Sequence, residues 1–545
     1  MELLSRRGTR LRNLSDLRRA SERLRGGGRR RSAILHAMIR KTIFYLSGFI
    51  LWLLVAAMGL EAFERVRVHI LRPKVEAHYW QRWGEGKQRE AEIDAATRGN
   101  APVPPASVRP RPGSPKRETY ASLADDAARL EFARRRNEIV LPCDRAGRIL
   151  AKYVAEDPPS LLALARLAEP GDSFARLLPS TNGQDQDGLA AFRSVAGGGF
   201  QQFREYPCLL PDGRPHIFEF YFFLAKETSE PVLITIRESL YEELWRKMRP
   251  HVYRDDTFGP WTLWTNNVGF RDEEVVLPKP PGIYRILCIG GSTTFEGVRN
   301  DLTYPNILEK KLRVHFGTDL IEVVNCGING MTSLSERERA PDFLALQPDL
   351  VIHYNFANDM NNVIPAAYRM EATSPGWLAR VRPVLRKSLF ATIRFPDWVA
   401  PARSSFRAVI PRFLMNNVER LACEMQKAGV DIVLCSFACP DMVHLDRLER
   451  YSFMQPFNPK LQIYPRMDDY VRAIAADNEL LRELCARLGV FYVPVAEELL
   501  GGTDLFTDNC HLHQEAIERK ADIIFRHLRD YLKPRLVAKG VVPAS

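Results

Sequence analysis

Four short blocks of this 545-residue chain hold residue types that could do chemistry together. Ser292 sits in Gly290-Gly291-Ser292-Thr293, where two glycines allow a tight turn. A serine hydroxyl needs a base to become a nucleophile, and the base needs a partner that orients it. Asp508 and His511, three apart in Asp508-Asn509-Cys510-His511-Leu512-His513, offer both. That spacing lets the carboxylate reach one ring nitrogen while the other faces the serine, with His513 pointing elsewhere. In the block Asn325 to Gly330, the small residue at 330 permits its backbone N–H to face a reacting carbonyl. The carboxamide of Asn358, in Asn358-Asp359, could donate a second hydrogen bond, and the N–H of Ser292 a third. Each block alone has a plainer reading. Asp508 and His511 could form a solvated helix cap. The double glycine could hold a phosphate at a helix start, but no Gly-Lys-Ser/Thr follows, and Gly297 stands too far along for a dinucleotide fingerprint.

These blocks gain weight from the elements that would position them. Five apolar, strand-like runs are expected at Tyr284–Ile289, Ile321–Asn325, Leu350–Tyr354, Val430–Ser436 and Val490–Val493. Helical patterns lie between or after them, over Tyr304–Phe316, Phe413–Ala428, Met467–Leu488 and Gln514–Leu532. Apolar strands alternating with amphipathic helices predict a parallel sheet covered on both faces, a three-layer α/β/α domain. Sites in such sheets form at the carboxyl ends of strands. Ser292, Gly330 and Asn358 each follow a predicted strand there, and Asp508 and His511 precede the last helix.

With those residues in place, the region resembles the SGNH (GDSL-type) hydrolase superfamily, in its membrane-anchored bacterial branch. The serine block is similar to Ile289 through Thr293, with Gly291 where an aspartate is usual. The glycine block is similar to Asn325 through Gly330. The asparagine block is similar to Asn358-Asp359, with Phe356 where glycine is common, and the final block matches Asp508 and His511. The resemblance covers about 250 residues. It implies a catalytic set of Ser292, His511, Asp508, Gly330 and Asn358, and esterase, lipase, deacetylase or O-acyltransferase chemistry without metal or organic cofactor. Stretches 361–410 and 439–463 exceed a minimal core and are expected to shape the substrate site. The segment Thr265–Asp272 is similar to one that precedes the catalytic domain in membrane-anchored members and is expected to pack against the sheet. Gly171-Asp172-Ser173 spells the family's nickname but follows a helix-ending pattern, so it is read as a loop or cap.

Charge and hydropathy place the catalytic region at a membrane. Residues 1–41 hold thirteen Lys/Arg and three Asp/Glu, whereas the remaining 504 residues hold 64 basic and 63 acidic. A nearly neutral body argues against a nucleic-acid-binding domain. Thr42–Leu60 is nineteen residues without a charge, about 28 Å as a helix and roughly one hydrocarbon core. It reads as a retained anchor rather than a cleaved signal peptide, because its basic flank is long. The basic side predicts a cytoplasmic N-terminus at the inner membrane and a periplasmic or extracellular catalytic domain. The expected order is a basic tail (1–41), a transmembrane anchor (42–60), and a helical stem with a proline-rich linker (61–117). A smaller α+β accessory domain (118–275), the hydrolase-like domain (276–535) and a tail (536–545) follow. In the accessory region a helix is expected over Tyr120–Glu138, with strands at His216–Leu224 and Val232–Ile236. Nine cysteines are too sparse for a disulfide scaffold, and Cys435 and Cys439 lack a matching pair for zinc. The expected partners are the bilayer and an acylated small molecule, lipid or glycan. The expected reaction is hydrolysis of an O-acyl ester, acetyl foremost, or acyl transfer to envelope polysaccharide. A non-catalytic envelope-assembly protein is the remaining alternative.

Overall fold

The structure, a computed structural model, describes residues 5–100, most of 129–443, and 467–543. The proline-rich linker at 101–117 and most of the stretch 439–463 lie outside the described residues, as does the start of the helix expected at Tyr120.

A single helix, α1, runs from Ser5 to Thr97. Within it, Met38–Leu71 is long enough to cross a membrane and holds an 18-residue apolar window, with a mean hydropathy of 2.2 and no residue of that window buried in the protein.

The first sheet is antiparallel, in the order β2-β1-β5-β4-β3. Its strands are β1 (Glu138–Cys143), β2 (Tyr153–Val154), β3 (Gln202–Leu209), β4 (Pro215–Leu224) and β5 (Val232–Glu238). Strand period two divides β4 cleanly. Phe218, Phe220 and Phe222 are fully buried in one core with Phe174 and Phe192. On the other face, Glu219 accepts from Arg237 (2.6 Å) and Arg254 (2.8 Å). Glu138, expected to close a helix, opens β1 instead: Ile139 and Val140 pair with both β2 and β5, and Leu141 with β5. Two small hairpins follow, β6 (Tyr241–Glu243) with β7 (Lys247–Met248) and β8 (Tyr253–Asp256) with β9 (Trp261–Trp264). Leu240, Tyr241, Met248, Leu263 and Phe270 all join the core of the next sheet, so the chain enters that core well before residue 276.

That second sheet is parallel, in the order β11-β10-β12-β13-β14. Its strands are β10 (Tyr284–Gly290), β11 (Ile321–Gly327), β12 (Leu350–Tyr354), β13 (Asp431–Cys435) and β14 (Phe491–Val493). Every residue of β10 and β12 is buried, which is why these strands read as continuous apolar runs rather than alternating ones. Helices Tyr304–Phe316 and Gln514–Ala538 pack together, while Asn416–Lys427 and Met467–Leu488 cover other parts of the sheet. The chain is α/β. From β10 it moves outward to β11 and then returns past β10 to β12. This reversal opens a crevice at the carboxyl ends of β10 and β12, where α/β sheets bind their ligands.

Candidate active site

The turn after β10 is built for close approach. A Cβ at Gly290 would fall 2.1 Å from Thr294 Oγ1 and 2.4 Å from the Tyr354 carbonyl. A Cβ at Gly291 would fall 2.9 Å from Asn355 Oδ1 and 3.1 Å from Asn358 Nδ2. A side chain at 291 would therefore crowd the carboxamides of Asn355 and Asn358 beside the turn. Ser292 opens the one-turn helix Ser292–Phe295 with its side chain half-buried.

The structure brings His511 onto that serine. Its Nε2 lies 2.8 Å from Ser292 Oγ, and its Nδ1 lies 2.7 Å from Asp508 Oδ2. Asp508 Oδ1 accepts the N–H groups of Cys510 and His511, each at 2.8 Å. Burial would raise the Asp508 carboxyl, but the hydrogen bonds and charge of His511 and the Cys510 N–H hold it down to about 2. Burial likewise pulls His511 down, yet its bonds to Asp508 and the adjacent Cys510 sulfur lift it well above its ordinary 6.5. Asp508, Cys510 and His511 also present ligand atoms within 4.8 Å of one another. The Asp508–His511–Ser292 chain uses both ring nitrogens of the histidine.

Gly330 has a φ of 76°, a left-handed conformation that glycine adopts without a Cβ penalty. Asn358 Nδ2 donates to the Met331 carbonyl at 2.9 Å, and Asn355 Nδ2 donates to the same oxygen at 2.8 Å. Two carboxamides from the β12 loop thus fix the backbone just after Gly330. Asn355 is anchored in turn by Glu336 (2.9 Å), which also pairs with buried His353 (2.7 Å). Asp359 accepts from the Ser333 N–H and hydroxyl, and burial pushes its carboxyl up to about 7.

Sequence reasoning missed the residues that lock these loops together. Glu296, at the end of the serine helix, accepts the Leu512 N–H at 2.9 Å, immediately after His511. Its other oxygen pairs with Lys520 Nζ at 2.8 Å, and Lys520 also donates to the Thr293 carbonyl at 2.6 Å. Gln514 receives the Val298 N–H at 3.0 Å. Arg271 donates to the carbonyls of Phe295 (2.6 Å) and Gly297 (2.8 Å), while Asp272 accepts the Asn325 N–H at 2.5 Å. The Thr265–Asp272 segment therefore ties the end of the serine helix to β11. Complete burial pushes the Arg271 guanidinium down to about 9.

The stem helix reaches the site as well. His513 turns away from Ser292 and packs against Gly86 of α1, where a Cβ would fall 2.1 Å from its ring. Glu90 lies 3.7 Å from His513 Nδ1, and Asp94 accepts from Arg299 at 2.7 Å. Ser173, of Gly171-Asp172-Ser173, is the N-cap of the short helix Phe174–Leu177 and accepts from the Ala175 N–H at 3.3 Å.

The model of the GDSL-like lipase/acylhydrolase family matches residues 288–516. No curated protein matches the chain. Among solved structures, the chain is similar to the lipase/acylhydrolase from Enterococcus faecalis. The identity is 16%, the match covers 46% of this chain and 97% of that one, and the TM-score is 0.29. It is similar to the esterase EstA from Pseudoalteromonas sp. at 14% identity, over 46% and 98% of the two chains, with a TM-score of 0.27. It is also similar to a lipolytic protein of the G-D-S-L family from Desulfitobacterium hafniense DCB-2, at 13% identity over 45% and 99%, with a TM-score of 0.27. Residues 288–516, which hold the serine, glycine, asparagine and histidine loops just described, are a GDSL-like lipase/acylhydrolase domain.

Proposed function

We propose that this chain is a membrane-anchored serine esterase that removes an O-acyl group, acetyl foremost, outside the cytoplasm. The observation that carries the reading is the His511 ring, 2.8 Å from Ser292 Oγ on one side and 2.7 Å from Asp508 on the other. His511 Nε2 takes the serine proton as Oγ attacks the acyl carbon. Asp508 holds the proton-bearing Nδ1 in place and stabilises the cation. The N–H groups of Ser292 and Gly330 and the Asn358 carboxamide meet the developing oxyanion. His511 then protonates the departing alcohol. Water, deprotonated by the same imidazole, attacks the acyl-serine, and the acid leaves with Ser292 restored.

In this reading residues 42–60 span the inner membrane, residues 1–41 stay in the cytoplasm, and the catalytic domain lies outside it, with residues from about Leu240 onward in its core. The antiparallel sheet before Leu240 is the accessory region. The contact of Gly86 with the histidine loop supports a substrate carried clear of the bilayer. From Glu61 to Gly86 the helix rises about 37 Å. An acyl group on an envelope polymer or a soluble molecule meets a site at that height more readily than one within the bilayer.

The test is steady-state kinetics of the full chain in detergent on an activated acetyl ester, with circular dichroism as the folding check. Ser292→Ala and His511→Ala should each lower kcat by several orders of magnitude, and the double variant should cost little more, because the residues act as one unit. Retained activity in Ser292→Ala sinks the nucleophile. If the parent is inert on a broad ester panel yet moves acetyl onto a glycan, the triad stands and transfer replaces hydrolysis.

A further inference from the structure

Glu61 is the first charged residue after the uncharged run Thr42–Leu60. Its carboxylate accepts from Ser388 Oγ at 2.7 Å and from the N–H groups of Leu389 and Phe390 at 3.1 and 3.0 Å. It therefore caps the helix Leu389–Arg394 across more than 300 residues of chain. One turn farther along α1, fully buried Glu64 pairs with Arg394 Nε at 2.7 Å. Two contacts on successive turns hold this helix at the level where the apolar run ends.

Two further helices flank it, Trp377–Leu385 before and Pro396–Val399 after. Arg382, on the inner face of the first, and Arg386, just past its end, hold the group together. They donate to the carbonyls of Trp398 (3.2 Å) and Val399 (2.7 Å), and both pair with Glu371 (2.6 and 3.0 Å). At roughly 100° per residue, Trp377, Val381 and Val384 fall within an arc of about 60° on the opposite side of that helix. They are 67%, 38% and 68% exposed. Phe395 and Trp398 are 46% and 56% exposed, with ring centroids 5.7 Å apart. Arg380 and Lys387 are exposed beside them. Tryptophan and basic side chains mixed with aliphatic ones suit the headgroup level of a bilayer, where an apolar body and a polar tip are both satisfied.

We propose that the surface formed by Trp377, Val381, Val384, Phe395 and Trp398 rests on the headgroup region of the leaflet from which α1 emerges. The catalytic domain is then seated on the membrane rather than swinging from a tether. The occupant is lipid because the surface is joined to α1 at the end of its apolar run: whatever receives Thr42–Leu60 meets residues 377–398 next. The proposal rests on the membrane-spanning reading of α1 and not on the catalytic reading.

The experiment reconstitutes the full chain into vesicles of phosphatidylcholine and phosphatidylglycerol whose acyl chains carry bromine close to the headgroup, and reads tryptophan quenching. The W377F/W398F double variant should lose most of the shallow quenching seen in the parent beyond the contribution of Trp52, and V384W should add to it. Equal quenching in the parent and the double variant, with no gain in V384W, overturns the proposal. If lipids brominated near the ends of their acyl chains quench the parent no more than W52F, the span itself fails and the proposal falls with it. A detergent-stable dimer that W377E/W398E dissociates, with no quenching at these positions, assigns the surface to a second copy and also overturns it. A parent that docks without hydrolysing counts against the esterase reading alone.

Discussion

Replacing Glu296 by glutamine should disable the protein from a position that touches no substrate. Glu296 is 3% exposed and Lys520 is fully buried, so neither charge is solvated. The carboxylate serves two donors at once, the Leu512 N–H and the Lys520 ammonium. A glutamine keeps the size but offers a single acceptor oxygen. Its NH2 must then face either the Leu512 N–H or the ammonium, donor against donor. Leaving one buried donor without an acceptor costs about 1–3 kcal/mol, and leaving the lysine charge uncompensated brings the total to about 3–5 kcal/mol. At about 2–4 °C per kcal/mol for a domain of this size, the thermal midpoint should fall by roughly 6–20 °C. Lys520→Met should cost a similar amount, because it strands the carboxylate instead. The double variant Glu296→Gln with Lys520→Met needs only one acceptor, for Leu512, and should recover at least about 2 kcal/mol relative to the sum of the singles. The assay is thermal unfolding of the full chain in detergent by circular dichroism, paired with kcat measured well below the midpoint. Because Leu512 follows His511 directly, kcat should also fall in Glu296→Gln under conditions where the protein is folded. A Glu296→Gln midpoint within about 1 °C of the parent, or strict additivity in the double variant, would refute the reasoning.

Four further outcomes are expected. The base must be neutral to accept the serine proton, and His511 is raised well above 6.5, so kcat/KM should be lost as pH falls through a midpoint above 6.5. Asp508→Asn should lower both the rate and that midpoint, which a pH–rate profile on the acetyl ester would read. Asn358→Ala should cost roughly 3 kcal/mol, about a hundredfold in kcat, by removing one oxyanion donor. Gly86→Ala would drive a methyl into the His513 ring, so it should lower kcat, and His513→Ala should restore it; failure of that rescue breaks the link between the stem helix and the histidine loop. Ser173→Ala should leave hydrolysis within about a fewfold of the parent, since that hydroxyl serves as a helix cap.

Tyr304–Phe316 and Met467–Leu488 are helices over the full ranges that their amphipathic patterns predict. Strands β10 and β12 were likewise legible, because burial on both faces leaves a run of Ile, Leu and Val that little else produces. The first sheet was half legible. β4 and β5 announce themselves by aromatic and β-branched residues, whereas β1 follows a charged helical pattern, and β3 (QFREYPCL) mixes charge and proline on an edge strand.

Among the chemical groups, the Asp508–His511 contact could be read from the sequence because it is local: three residues at a turn bring carboxylate and imidazole together almost regardless of the rest of the fold. That Ser292 would follow a strand was equally local, since a glycine pair ends an apolar run. The meeting of Ser292 with His511, 219 residues apart, was an expectation of topology that only the assembled sheet expresses as a distance. Glu296 with Lys520, Arg271 with Phe295 and Gly297, Asp94 with Arg299, and Glu61 with Ser388 carried no signal in the sequence. A charged side chain states that it needs a partner but not which one. The partner is chosen by whichever element the fold packs against it, and for buried charges that choice is what makes the burial tolerable.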